Sequence, residues 1–370
     1  MLQPLQVKKT ERASNFELCR LACMFYIVVY HLLIHNLDVT GSLYCNRAIV
    51  TIFKIGVPVF VMISGYFKIK ASLRGFLCIV TQVVFYSLLA DILCYFVFKE
   101  PLSIGNILGT FFPVTKTQYW FVGTYLLLYM LSPFINKYLD SVSRKEFCAY
   151  LVTISLLVCY GGGVMNVEGQ NYGDRSILTF VFLYCIGRFL NVHENYMVEK
   201  APKFVRNPWV IYSTITFLFF VLVSFLPSLF SRGINFFAGA YNTIGLTLFS
   251  VIFFYCFKTL KIQKRWINAL AKSTFAIYLI HGNNIVTYHR WIYDPYTRYG
   301  ITIDNMHLRV LYLLCSALAI CFACIIIDQL RILLFKFLGI DWVIMKLDRL
   351  ANRKLQFVTN NIIENGTKKI

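Results

Sequence analysis

Residues 16–36 read FELCRLACMFYIVVYHLLIHN, and the ten residues between Arg20 and His31 carry no charge. With its flanks the run reaches the roughly 20 residues a helix needs to cross a hydrocarbon core of about 30 Å. Lipid offers the backbone no hydrogen bonds, so a spanning segment is either a helix or a strand of a closed barrel, and barrel strands alternate apolar with polar residues. This run does not alternate, which predicts a helix.

Including this first window at roughly 17–37, the chain holds ten apolar windows; the others lie near 48–69, 76–98, 119–139, 147–164, 176–190, 208–227, 241–257, 272–290 and 310–337. Composition agrees. With 58% hydrophobic and 14% charged residues, and a mean hydropathy of +0.64, a water-soluble fold could not cover itself with polar surface. The expectation is an all-α integral membrane protein of about ten transmembrane helices. It would form one membrane domain over 1–337 with a short tail over 338–370.

The net charge of +19 does not point to nucleic acid, because the basic residues punctuate the ends of the apolar windows instead of clustering on a soluble face. Placing the N-terminus inside puts 27 of the 36 Lys and Arg residues on the cytoplasmic side and nine outside, so both termini read as cytoplasmic. In the tail Trp342, Ile344, Leu347, Leu350 and Phe357 interleave with Lys346, Arg349, Arg353 and Lys354. That pattern suits a basic amphipathic helix lying on the anionic lipids of the inner leaflet. The twelve cysteines fall almost wholly inside apolar windows and imply no disulfide framework. No Walker loop or dinucleotide glycine fingerprint occurs, which argues against soluble ATP-driven chemistry, and no metal is expected.

Function is sought among ionisable groups inside the windows, since each costs a few kcal/mol unless it meets a partner or a cavity. The first window carries four. Eleven residues at 100° make three turns plus about 20°, so Arg20 and His31 share a face about 16 Å apart along the axis. Glu17, one turn before Arg20, and His35, one turn after His31, continue the stripe. A group that titrates near pH 7 at mid-membrane is an economical general base. Glu17 with Arg20 also reads as an interfacial ion pair. Elsewhere, Asp91 is an isolated carboxylate, Tyr119 and Trp120 read first as an aromatic belt, and YHRWIYDPYTRY at 288–299 carries the same choice between belt and glycan platform.

Arginine, ten residues, then histidine in the first window resembles the signature of the membrane acyltransferase 3 family. Three stretches in the expected order strengthen the likeness: VPVFVMISGYF at 57–67, YWFVGTYLLLYMLSPFI at 119–135 and STFAIYLIHG at 273–282. The family's members are ten-span bacterial membrane enzymes that O-acylate surface polysaccharides, and the chain looks closest to the stand-alone acetyltransferases. The resemblance implies a multi-pass protein of the bacterial cell membrane. It would move an acetyl group from cytoplasmic acetyl-CoA to a hydroxyl of a surface or lipid-linked glycan.

Carried over residue by residue, the resemblance makes His31 the catalytic base and has Arg20 position the acyl donor. The family's paired arginines for the donor phosphates are matched only loosely by Lys68, Lys70 and Arg74, and lysine lacks the bidentate fork of arginine. Glu17, His35, Trp120 and His281 complete the set of candidate substrate contacts. The rival class is a transporter or glycan flippase using the same polar groups; the sequence shows neither the paired broken helices nor the internal repeats common in such folds.

Overall fold

The computed structural model describes residues 12–36, 50–99, 119–162, 173–193, 207–225, 240–283 and 306–367, together with Gly105, Gly109 and Phe111. Among these residues the protein is all helical: α1 (Ser14–Asn36), α2 (Gly56–Tyr66), α3 (Leu73–Phe98), α4 (Trp120–Ser141), α5 (Arg144–Ser155), α6 (Ile177–Val192), α7 (Pro208–Phe225), α8 (Ile244–Lys258), α9 (Arg265–Leu270), α10 (Thr274–His281), α11 (Met306–Phe337) and α12 (Ile340–Thr367). Each of the ten apolar windows overlaps one of these helices. Three stretches, Ser14–His35, Leu73–Val97 and Leu308–Phe337, are long and apolar enough to cross a bilayer, and shorter apolar helices cover Val50–Tyr66, Ile177–Val192, Pro208–Phe219 and Ile244–Lys258. The protein has the character of a membrane protein.

The first window becomes the hub. α1 packs against α2, α8, α9, α10 and α11, and Cys19, Cys23, Val28, Val29 and Leu32 are fully buried along it. Its N-terminus is laced to the link between α8 and α9: the Ser14 hydroxyl donates to the Lys264 carbonyl and accepts from the Lys264 amide, and the Asn15 amide group reaches the Phe257 and Lys258 carbonyls. These bonds fix the start of the polar stripe against a segment some 250 residues away.

α2 packs most closely on α6, and α10 wedges between α1, α3 and α11. α3 and α11 are joined by a buried polar knot, in which the Tyr86 hydroxyl and the Arg331 Nε each donate to one Asp328 oxygen at 2.6 Å. Helices in lipid gain little from burying apolar groups, so close packing and such interhelical hydrogen bonds hold them together. α11 ends where Gly339, at φ +66°, turns the chain into α12. α12 tucks Ile344 inward and leaves Trp342, Leu347 and Leu350 exposed; its Asp348 carboxylate accepts from the Arg74 amide at the start of α3.

Candidate active site

Four residues on one face of α1 set out the site. Arg20, Met24, Ile27 and His31 follow one another at spacings of four, three and four, which keeps them on a single stripe. Each borders a cavity. At the Arg20 end lies an open cleft of about 470 Å³ lined by Arg12, Glu17, Arg20, Phe60, Ala271, Lys272 and Thr274. Next comes an apolar void of about 20 Å³ among Met24, Ile27, Val57, Phe60, Phe121, Phe275 and Tyr278. Last is a void of about 10 Å³ among Ile27, Tyr30, His31, Phe53, Lys54, Val57, Trp120, Tyr241 and Tyr278. Phe60 borders the first two; Ile27, Val57 and Tyr278 border the last two. The three therefore form one broken path beside α1, and each inner void is about the size of a water molecule.

The open cleft is basic. Glu17, buried to 4% exposure, holds the Arg20 guanidinium at 2.5 Å and that of Arg12 at 3.7 Å. Lys272, brought in by the turn between α9 and α10, adds a third cation, so one carboxylate faces three positive groups. The expected Glu17–Arg20 ion pair exists, and it forms a wall of this cleft. Phe67, at the end of α2, lies 5.7 Å below the Arg20 guanidinium. The next residue, Lys68, pairs with Asp140 of α4, which also accepts from Arg188 of α6 at 2.7 Å. Those two cations, Arg188 before Lys68, hold the Asp140 carboxyl below the ordinary carboxylate range. Lys70 is exposed on the α2–α3 link. None of Lys68, Lys70 and Arg74 is among the residues that line the cleft, where Arg12, Arg20 and Lys272 supply the positive charge.

At the deep end His31 meets His281, with Nδ1 of the former 3.1 Å from Nε2 of the latter. The other ring nitrogen of His281 lies 2.5 Å from the Ile277 carbonyl. The end of α10 is fixed from below, because the buried Tyr119 hydroxyl donates to the Leu279 carbonyl at 2.9 Å and accepts from Asn283 at 2.7 Å. Tyr119 is fully buried, so it is no part of an aromatic belt. Trp120 also turns inward: it stacks on Tyr241 at 5.8 Å and lies under the Arg175 guanidinium at 4.9 Å. The Lys54 ammonium sits 5.1 Å from the Tyr241 ring in the same chamber. His35 lies one turn beyond His31 at the exposed end of α1. The aromatic stretch 288–299 falls outside the described residues.

Lys54, Tyr241, Tyr278 and Lys272 were not legible as site residues. Each stands alone in its own segment, where a cation or ring at a helix end reads as topology or packing; only the fold gathers them. The two histidines on separate helices were visible, but not that they touch.

A family model, described as an acyltransferase domain, matches residues 14–328. The chain belongs to the acyltransferase 3 family. The match runs from the first residue of α1 to Asp328 in α11, so it takes in the path from the basic cleft to the histidine pair except Arg12, which precedes it. Searches among curated proteins and among solved structures find no significant match. Membership makes the protein a membrane acyltransferase in general terms, and the arrangement of this acyltransferase 3 domain is the basis for anything finer.

Proposed function

We infer that the protein is a ten-span enzyme of the bacterial cell membrane, with both termini cytoplasmic, that transfers an acetyl group from cytoplasmic acetyl-CoA to a hydroxyl of a surface or lipid-linked glycan. The observation that carries this reading is the line of three cavities along α1, basic at one end and ending on His31. The donor's phosphates occupy the cleft of Arg12, Arg20 and Lys272. Its uncharged arm threads past Met24, Ile27 and Phe60 and brings the thioester to His31. Arg20 and His31 are eleven residues apart, about 16 Å along a helix, which matches an extended arm rather than a compact ligand. The void is narrow at Phe60 and Phe121, so these rings turn aside when the arm enters.

In the deep chamber Nε2 of His31 takes the proton of the acceptor hydroxyl as its oxygen attacks the thioester carbonyl. The tetrahedral oxyanion is stabilised by the Lys54 ammonium, which lines the same chamber. Collapse breaks the carbon–sulfur bond, the thiolate of CoA leaves and the proton passes from His31 to the sulfur. The acceptor's sugar ring enters beside the stacked Trp120–Tyr241 pair, which borders the chamber and has Arg175 against the Trp120 ring.

The test is acetyl-CoA-dependent thiol release and acetylation of cell-surface glycan, measured in membranes and cells holding equal amounts of wild type or His31→Ala. Loss of both activities in the variant is expected. Unchanged glycan acetylation would overturn the reading, and acceptor movement across the membrane without thiol release would favour a transporter.

A further inference from the structure

Two hydrogen bonds at His281 decide which nitrogen of His31 carries its hydrogen. The Ile277 carbonyl can only accept, so the His281 nitrogen 2.5 Å from it, Nδ1, carries a hydrogen. In a neutral ring the other nitrogen, Nε2, is then a lone pair. That lone pair lies 3.1 Å from Nδ1 of His31, and two facing ring nitrogens make a hydrogen bond only if one of them donates. For the neutral pair the pattern has one solution: Nδ1 of His31 holds its hydrogen and donates it to His281, leaving the lone pair on Nε2 of His31.

We propose that His281, anchored on the Ile277 carbonyl, is a positioning residue that fixes the tautomer and ring direction of His31 so that Nε2 is the base. The inference rests on His31 acting as the base and assigns His281 no contact with the reacting atoms. The relay is built for a fixed setting. His281 is fully buried, the carbonyl it leans on belongs to its own helix one turn earlier, and Tyr119 with Asn283 pins the last turn of that helix. Without the relay His31 keeps its place on α1, but the contact at Nδ1 no longer fixes which of its two nitrogens carries the hydrogen. A reaction that needs the Nε2 lone pair then runs on a fraction of the molecules, as when the orienting acceptor of a catalytic histidine is removed.

The relay makes different demands on different replacements. Glutamine at 281 offers an amide oxygen close to where Nε2 stands and can accept the His31 hydrogen; leucine fills similar space and cannot. In membranes with matched protein levels, His281→Leu is expected to lower the maximal rate of thiol release about 100-fold with the KM for acetyl-CoA within about 2-fold, and His281→Gln to recover at least a tenth of the wild-type rate. The second readout needs no turnover. In full-length protein labelled with ¹⁵N-histidine in bilayers, the His31 signals, identified by their loss in His31→Ala, should show Nδ1 protonated and Nε2 bare in the wild type. They should become a tautomer mixture in His281→Leu and return toward the wild-type pattern in His281→Gln. A wild-type signal with Nε2 protonated overturns the proposal, as does full activity in His281→Leu. If His31→Ala is itself active, the functional reading fails; if His31→Ala is dead and His281→Leu is not, the relay alone fails.

Discussion

Gly65 of α2 and Gly187 of α6 meet face to face: a Cβ on Gly65 would stand 2.0 Å from the Tyr184 carbonyl oxygen, and one on Gly187 would stand 2.0 Å from that of Met62. The contact is reciprocal and wholly backbone, so no flexible side chain can yield. It is the small-residue crossing that lets helices in lipid approach closely. Either Gly65→Ala or Gly187→Ala should therefore force the helices apart and cost about 2 kcal/mol or more. The measurement is thermal unfolding in detergent, where the variants should melt earlier than a control such as Gly161→Ala, whose Cβ would meet nothing nearer than the Leu156 carbonyl oxygen at 4.0 Å. Because α2 also carries Val57 and Phe60, the same variants should lose activity below their own melting range.

The basic cleft makes a separable prediction about donor binding. Lys272→Gln removes one of three cations facing the proposed phosphates and should raise the KM for acetyl-CoA about 5-fold, equivalent to ~1 kcal/mol, with little change in maximal rate. Lys70→Gln, on the exposed link, should change it less than 2-fold. Initial rates over a range of acetyl-CoA, at low and high salt, decide the matter; the two KM values should converge as salt screens the cleft. A larger effect from Lys70 than from Lys272 would return the phosphates to the link between α2 and α3.

How far these residues could be read from the sequence depends on the range of the interaction. The Arg20-to-His31 stripe was legible because both groups lie on one helix, where 100° per residue fixes their relation. The apolar windows were legible for the same reason, since each is a local run. His281 could be noticed but not paired, because its partner is 250 residues away and no period connects them. Lys272 reads as a topological charge, and Trp120 reads first as an aromatic belt and only through the family resemblance as a substrate contact, because an isolated segment carries no more. The turn that carries Lys272 to Glu17 and the stacking of Trp120 on Tyr241 are consequences of tertiary packing.

Asp140 supplies a pH prediction away from the chamber. Its carboxyl is held below the ordinary range by Arg188 and then Lys68, so the folded state gains most from it when it is ionised. The contribution is complete above the unfolded carboxylate value of about 4 and is lost as pH falls through the lower folded value. The Asp140 side chain is 35% exposed, so the gain is discounted to less than about 1 kcal/mol. Melting temperatures of wild type and Asp140→Asn should differ at neutral pH, with the variant lower, and draw together in acid. A gap that widens in acid would contradict the ion pairs as the source.

The path along α1 makes the sharpest prediction, because it separates holding the donor from delivering it. Ile27 borders both inner voids and touches neither the cleft nor the hydrogen bonds of the histidine pair. Ile27→Trp should fill the passage, leave the cleft intact and abolish acetyl transfer by at least about 100-fold. Binding of CoA itself, whose phosphates need only the cleft, should stay within about 3-fold of wild type when followed by displacement of a labelled analogue. The reverse substitution, Ile27→Ala, should keep activity and admit bulkier acyl donors, since it enlarges both inner voids next to His31. If Ile27→Trp turns over at the wild-type rate, the thioester reaches His31 by another path and the line of cavities is packing imperfection. If it loses CoA binding as well as transfer, the donor sits deeper than the cleft and Arg20 marks its edge.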